Sequence, residues 1–529
     1  MLPAVHATNS AGSLPRPQSR VASQELVEPA EFKRMNSNGS ALRLAVLGIV
    51  TVSLLTYSLA VPAQSLSHSR VATSRSPARA TSRGSSGSGA YAGWQACLEC
   101  HQSTYSTVVQ TDHARAFADG SFVAQGGSVN GACFKCHTTG GFVSPSVTPQ
   151  LAGVQCESCH GAAANHAANP GDPSATPRRQ VSAVVCGGCH TGAQQPTYDE
   201  WLTSEHATVT QPNMDPATCG KCHIGSARIA AINKQPLSQI DRTVAVDCAT
   251  CHDPHTTQVF KNPLNGIIDF TNPLTGSSIS IVNQELGASY RSQLRNPIAS
   301  TNDYFLASTD SFPGKYRAGV NVCAQCHNHR GASWKDTSAP PHKSPQFNLL
   351  IGTVGELPTG AKPQFPATHS LLEKQCVACH MPLMEHAGPP AVPAITSHQF
   401  KVTSYELCAQ CHRDATNAQN LVSAVQEFMT YNIAAVKAGL DEWATTKAPA
   451  ALRAKYGARA WEYSTPGELS PGGPGPNKTE QALIPNNIKK ARFNLYLVLN
   501  DGSYGVHNGP FATTLLDAAY DWVQAEVSP

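Results

Sequence analysis

The chain has 529 residues, among them 18 cysteines and 21 histidines, and only 14% are charged. Its formal charge of +3 does not mark a nucleic-acid binder, because the excess lies at one end. Residues 1–63 carry five basic and three acidic groups and residues 64–90 four arginines and no acid, so residues 91–529 are formally −3.

At the N-terminus, Leu44 to Ala60 form a mostly apolar run behind Lys33, Arg34 and Arg43, followed by Val61-Pro62-Ala63. A basic flank, an apolar centre and small residues at the exit predict a secretory signal peptide within residues 1–63. An uncleaved membrane anchor is the competing reading, since the run approaches the length that spans a bilayer. Met35, directly ahead of this pattern, reads as the translational start. Residues 64–90 are rich in Ser, Arg and Gly with almost nothing to bury, and read as a disordered linker.

From residue 91 to 412 one pattern dominates. Every cysteine belongs to one of nine copies of Cys-x-x-Cys-His. In chain order these are Cys97, Cys100 and His101; Cys133, Cys136 and His137; Cys156, Cys159 and His160; Cys186, Cys189 and His190; and Cys219, Cys222 and His223. The last four are Cys248, Cys251 and His252; Cys323, Cys326 and His327; Cys376, Cys379 and His380; and Cys408, Cys411 and His412. Structural zinc does not require a histidine after every hook, and a disulfide framework does not repeat an identical triplet. Two thiols three apart can add to the vinyl groups of a haem while the next histidine reaches its iron: this is the c-type attachment signal. The expected cofactors are therefore nine covalent c-type haems. Their propionates would add further negative charge to an already acidic domain.

Successive motifs are 36, 23, 30, 33, 29, 75, 53 and 32 residues apart. Such short, Gly- and Pro-interrupted segments cannot each build a core, so the haems must supply much of it. The expected fold is mainly α, with short motif helices and long loops around a packed haem chain. In the longest gap, Ser277 to Val282 is β-like and suggests a peripheral loop or hairpin. Residues 413–529 form a C-terminal helical region. Leu421, Val425, Phe428, Ile433, Val436, Leu440 and Trp443 recur at helical spacing, and two further helices are expected over Asn486–Leu499 and Pro510–Ala525.

The far side of each iron needs a second ligand. Ten more histidines are available: His113, His166, His206, His255, His329, His342, His369, His386, His398 and His507. Six methionines in the whole chain argue against methionine as the rule. Two histidines per iron make a six-coordinate centre suited to electron transfer.

Cys156-Glu157-Ser158-Cys159-His160-Gly161 followed by His166 resembles the haem-plus-nearby-histidine element of tetrahaem cytochromes and octahaem hydroxylamine oxidoreductases. The order from Cys219 to the C-terminus is similar to that of pentahaem cytochrome c nitrite reductases: Cys323-Ala324-Gln325-Cys326-His327, His369, Cys376-Val377-Ala378-Cys379-His380-Met381-Pro382, Ser397-His398, a long helix, then Gly505-Val506-His507-Asn508. The resemblance implies a mostly α fold with closely packed haem pairs. It also implies that His206 caps the seventh haem, His369 the ninth, His398 the sixth and His507 the eighth, and that the long helix mediates a homodimer. By count, His113, His166, His255, His329 and His386 remain for the first four haems, and His342 for the fifth. The chain departs from those reductases where their catalytic lysine stands, with His223, and at their pocket tyrosine, with Arg330; His342 matches their pocket histidine. The leading expectation is an exported cytochrome that exchanges electrons with periplasmic or membrane redox proteins. A nitrogen-oxide or hydroxylamine oxidoreductase with an open fifth haem, and a polymeric haem wire, are the alternatives.

Overall fold

The computed structural model describes residues 90–528 except 142–148, 180, 194, 210–213, 257–265, 272–277, 284–292, 296–321, 361–367, 372–375, 383–394 and 471. The apolar N-terminal run, Met35, the linker up to residue 89 and His386 lie outside the described residues. Residues Gly87–Pro529 group into one compact unit. Among the described residues, no helix is long and apolar enough to cross a membrane.

The architecture is mainly helical, and most motifs sit on or against a helix of one or two turns. Such segments include Trp94–Leu98, Gly131–His137, Cys156–His160, Ala183–Gly187, Cys248–Cys251 and Cys376–His380. The motif histidine closes its turn by donating its backbone N–H to the first cysteine's carbonyl, at 2.8 Å in the first motif and 2.9 Å in the fourth. One such turn brings both thiols to one side, as attachment to a single ligand requires. Local caps start several of these turns: Asn130 accepts from Ala132 N, and Asp247 and Thr250 form a reciprocal capping box. The β-like run becomes strand β2 (Ser278–Asn283), antiparallel to β1 (Gly266–Thr271) with Ile268 opposite Ile281.

The largest apolar cluster lies in the C-terminal region. A 28-residue helix, Ala415–Glu442, is capped by Asp414, whose side chain accepts from Asn417 N. It packs with Asn486–Asp501 and Gly509–Val527, within two residues of the expected bounds at both ends of each. Met429, Ile433, Val436, Leu440 and Trp443 face this cluster with Ile488, Leu495, Phe511, Leu515 and Val523. The expected stripe is thereby corrected at two positions: Leu421 and Phe428 are exposed. They fall about a quarter turn around the helix from the 429–433–436–440 line, as a 3.6-residue period dictates.

The turn joining the last two helices is set by Gly502 and Gly505, both left-handed at φ 74° and 89°. A Cβ on Gly505 would stand 2.8 Å from Met429 Cγ, so the turn presses directly onto the long helix. Asn508 then caps the final helix, with Pro510 in its first turn.

Candidate haem-binding site

A continuous cavity of about 4090 Å³ runs through the compact unit. That is roughly four times the upper end of an ordinary small-molecule pocket, about 1,000 Å³. Its walls include all nine motif histidines, sixteen of the eighteen cysteines, and His113, His166, His206, His255, His342, His369, His398 and His507. Size, thiols and imidazoles together fit several large covalent metal-bearing groups.

The imidazoles come in facing pairs. Two rings bonded to one metal from opposite sides, at about 2.0 Å per bond, place their centroids about 6 Å apart. Seven motif histidines have such a partner: His190 with His113 at 6.0 Å, His160 with His255 at 6.0 Å, and His223 with His342 at 5.9 Å. His252 meets His398 at 6.3 Å, His327 meets His206 at 6.1 Å, His380 meets His507 at 6.2 Å, and His412 meets His369 at 6.1 Å. Thus the rings of His206, His369, His398 and His507 face the motifs that the resemblance implies, and that of His342 faces the fifth, which the count left for it.

Other expected residues fall differently. The ring facing His160 is His255, and the nearby His166 sits on the short helix Ala164–Ala168, lining the cavity as His101 does. The buried Glu157 carboxylate accepts from Ala92, Gly93 and Ala163 N–H, tying that helix to the first motif's segment. Among the described residues no second imidazole meets His101 or His137. Instead the Phe122 ring stacks on His137 at 3.9 Å and 10°, within a cluster that includes Phe117 and Phe134. His329 is buried away from the cavity wall, its backbone N–H held by Asn348.

Acceptors on the outer ring nitrogen orient many of these rings. Nδ1 of His137, His160, His369 and His380 faces the carbonyls of Ala116, Arg178, Val506 and Phe400, at 2.7, 2.6, 2.8 and 3.1 Å. His327 meets Gln346 Oε1 and His342 meets Ser344 Oγ. Two rings face carboxylates instead: His507 meets Asp501 at 2.7 Å, and His255 meets Asp253 at 3.2 Å. With Nδ1 so engaged, Nε2 is the nitrogen left to face a metal. Burial also favours the neutral, ligating form. It pushes His206 down to about 4 with help from His327, and His342 down to about 4 with help from Arg330 and His223. Glu200, with no local sequence signal, clamps the sixth pair by accepting from Thr396 N, Thr396 Oγ1 and His398 N.

Contacts between motifs define an order. The sulfurs of Cys97 and Cys156 lie close enough to shift one another's ionisation, as do those of Cys186 and Cys248, Cys136 and Cys189, Cys222 and Cys326, and Cys323 and Cys376. Cys159 and Cys186, Cys251 and Cys323, and Cys379 and Cys408 are close enough to raise one another's ionisation. The motifs therefore adjoin in the order one, three, four, six, seven, eight, nine, with the second branching from the fourth and the fifth from the seventh.

Residues 96–161 match the family model described as "Cytochrome c554 and c-prime", and residues 307–448 that of "Outer membrane cytochrome MtrC/MtrF-like, domains II/IV". The multiheme cytochrome MtrA of Shewanella baltica is 26% identical over 172 residues, 27% of this chain and 50% of that protein. The C-type polyheme cytochrome OmcB of Geobacter sulfurreducens is 27% identical over 148 residues, 23% of this chain and 19% of that protein. The matching segments thus span half or less of these relatives. Among solved structures, the Outer Cell Wall Cytochrome OcwA aligns with 82% of this chain and 100% of its own at 19% identity and a TM-score of 0.49. The undecaheme cytochrome from the S-layer of Carboxydothermus ferrireducens aligns with 83% and 70% at 17% identity and a TM-score of 0.43.

Proposed function

We propose that this chain, a multihaem c-type cytochrome, holds nine covalent haems and relays electrons along them between redox proteins outside the cytoplasm. The observation that carries this reading is the set of seven imidazole pairs, spaced 5.9–6.3 Å between centroids. Each pair would hold one iron between two imidazoles, an arrangement that suits electron transfer and would leave a substrate no open position there. Each haem when bound supplies a one-electron couple. The chain's own residues contribute thioether attachment, ring orientation through Nδ1, and a wall that excludes water from the irons. The branched motif order supports a path whose ends lie at the first and ninth motifs, where Cys100 and Cys411 are exposed.

The N-terminal pattern supports export, as does the match to a family described as outer-membrane cytochromes. A homodimer is the favoured assembly. On the long helix Ala424, Phe428, Tyr431, Ala435 and Ala438 alternate in steps of four and three, the apolar seam of a coiled coil. Phe428 and Tyr431 are 50% and 52% exposed in the single chain.

The resting low-temperature EPR spectrum of the purified protein tests the relay reading. Low-spin signals from at least the seven paired sites are expected. A high-spin fifth site together with hydroxylamine or nitrite turnover would replace it with the enzyme reading.

A further inference from the structure

Resting on the haem assignment above, we infer that Asp501 is a positioning residue that sets the eighth haem below its neighbours in reduction potential. This makes that haem the energetic step between the branch point at the seventh and the terminus at the ninth.

The Asp501 side chain is 4% exposed, and its Oδ1 lies 2.7 Å from His507 Nδ1. Ser503 Oγ donates to the other oxygen, and Ser503 N approaches it at 3.3 Å. The His507 backbone N–H in turn donates to Ser503 Oγ at 3.2 Å, so aspartate, serine and histidine form one closed unit in the turn between the last two helices. Other outer nitrogens face neutral acceptors: carbonyls at His137, His160, His369 and His380, a side-chain amide at His327, a hydroxyl at His342. The one other carboxylate, Asp253 beside His255, is 28% exposed and also pairs with Arg295 at 3.3 Å, which offsets its charge. Among the described residues, His507 is Asp501's one ion-pair partner.

A buried carboxylate accepting the Nδ1 proton makes the ring a stronger electron donor at Nε2. More electron density at iron favours the ferric state, and low local dielectric strengthens the effect. The step matters because of where it stands. Cys376 of the eighth motif lies beside Cys323 of the seventh, and Cys379 adjoins Cys408 of the ninth. With haem held at these motifs, an electron passing from the seventh to the ninth would cross the eighth, whose potential His507 and Asp501 would set.

The test is an EPR-monitored redox titration of the whole haem-loaded protein, with the eighth haem identified as the low-spin signal lost in His507→Ala. In Asp501→Asn, nine haems and every low-spin signal should persist while that one couple rises at least tenfold in its reduction equilibrium, about 59 mV for one electron. Asp501→Glu, which keeps the charge, should restore most of the shift. Ser503→Ala, which frees the carboxylate for the ring, should move the couple the opposite way, and it decides the matter if the Asn variant does not accumulate. Unmoved potentials with haem count and spin states intact would overturn the role of Asp501 and leave the relay reading standing. Loss of nothing from the low-spin set in His507→Ala would instead break the ligand assignment on which both depend.

Discussion

The imidazoles of His223 and His342 face each other at 5.9 Å and 55°, although they stand 119 positions apart in the chain. Arg330 stands close enough to lower the basicity of both. If the pair shares the fifth iron, His342→Ala opens exactly one site. A single new high-spin centre with the other signals unchanged is expected, along with new binding of cyanide or nitric oxide at that centre. An unchanged spectrum would remove His342 from the ligand set.

Covalent haem should be found at every motif. Intact mass of the mature protein is expected to exceed the polypeptide by nine haems, with no titratable thiol. Because each haem is also core, Cys156→Ala should cost at least the ~2–5 kcal/mol of a large core truncation and lower the yield of folded protein sharply. A stable eight-haem variant at normal yield would contradict this.

The seam on Ala415–Glu442 predicts a dimer that Phe428→Asp dissolves. Phe428 is half exposed, so the melting temperature of the resulting monomer should change little. Light scattering coupled to gel filtration reads the outcome, and an unchanged mass in the variant removes this face from any interface.

Arg492 is fully buried in the C-terminal bundle. It donates to Trp461 O at 2.6 Å, Glu462 O at 2.9 Å and Gln481 Oε1 at 2.9 Å, and lies over the Tyr463 ring at 4.0 Å. Arg492→Ala takes this donor from the buried Trp461 carbonyl and Gln481 Oε1, and removes the cation beside the Glu462 carboxylate, which keeps Tyr463 N–H and the Tyr496 hydroxyl. A loss of about 3–5 kcal/mol is expected, measured by denaturant unfolding followed at the tryptophans.

The Glu480 carboxylate, held by Lys455, Tyr456 and the Asn477 N–H, is drawn down to about 2. A free glutamate titrates near 4.3, so this contribution to stability is complete above that pH and is lost as pH falls from about 4 to about 2. Glu480→Gln should flatten that part of the acid limb of a stability profile. A profile identical to that of the parent protein would rule the contact out as a stabiliser.

Chain pattern alone determined the attachment chemistry, because thioether formation and axial ligation both depend on neighbours within five residues. It likewise determined the C-terminal helices, whose periodicity and caps are local, and the β-like run in the longest gap. Resemblance assigned His206, His369, His398 and His507, and the count of spare histidines His342, to particular motifs; in the structure their rings stand 5.9–6.3 Å from those motifs' imidazoles. Only tertiary structure decided that His255 faces His160 and His113 faces His190, since neither spacing nor order distinguishes one spare histidine from another. It also decided which face of the long helix is buried, because two apolar lines run along it and packing against Asn486–Asp501 and Gly509–Val527 selects one. The thiol contacts that order the motifs, the Phe122 stack on His137 and the Glu200 clamp join residues remote in sequence. They arise from how short helices close around a shared cavity, and no single segment carries a signal for that closure.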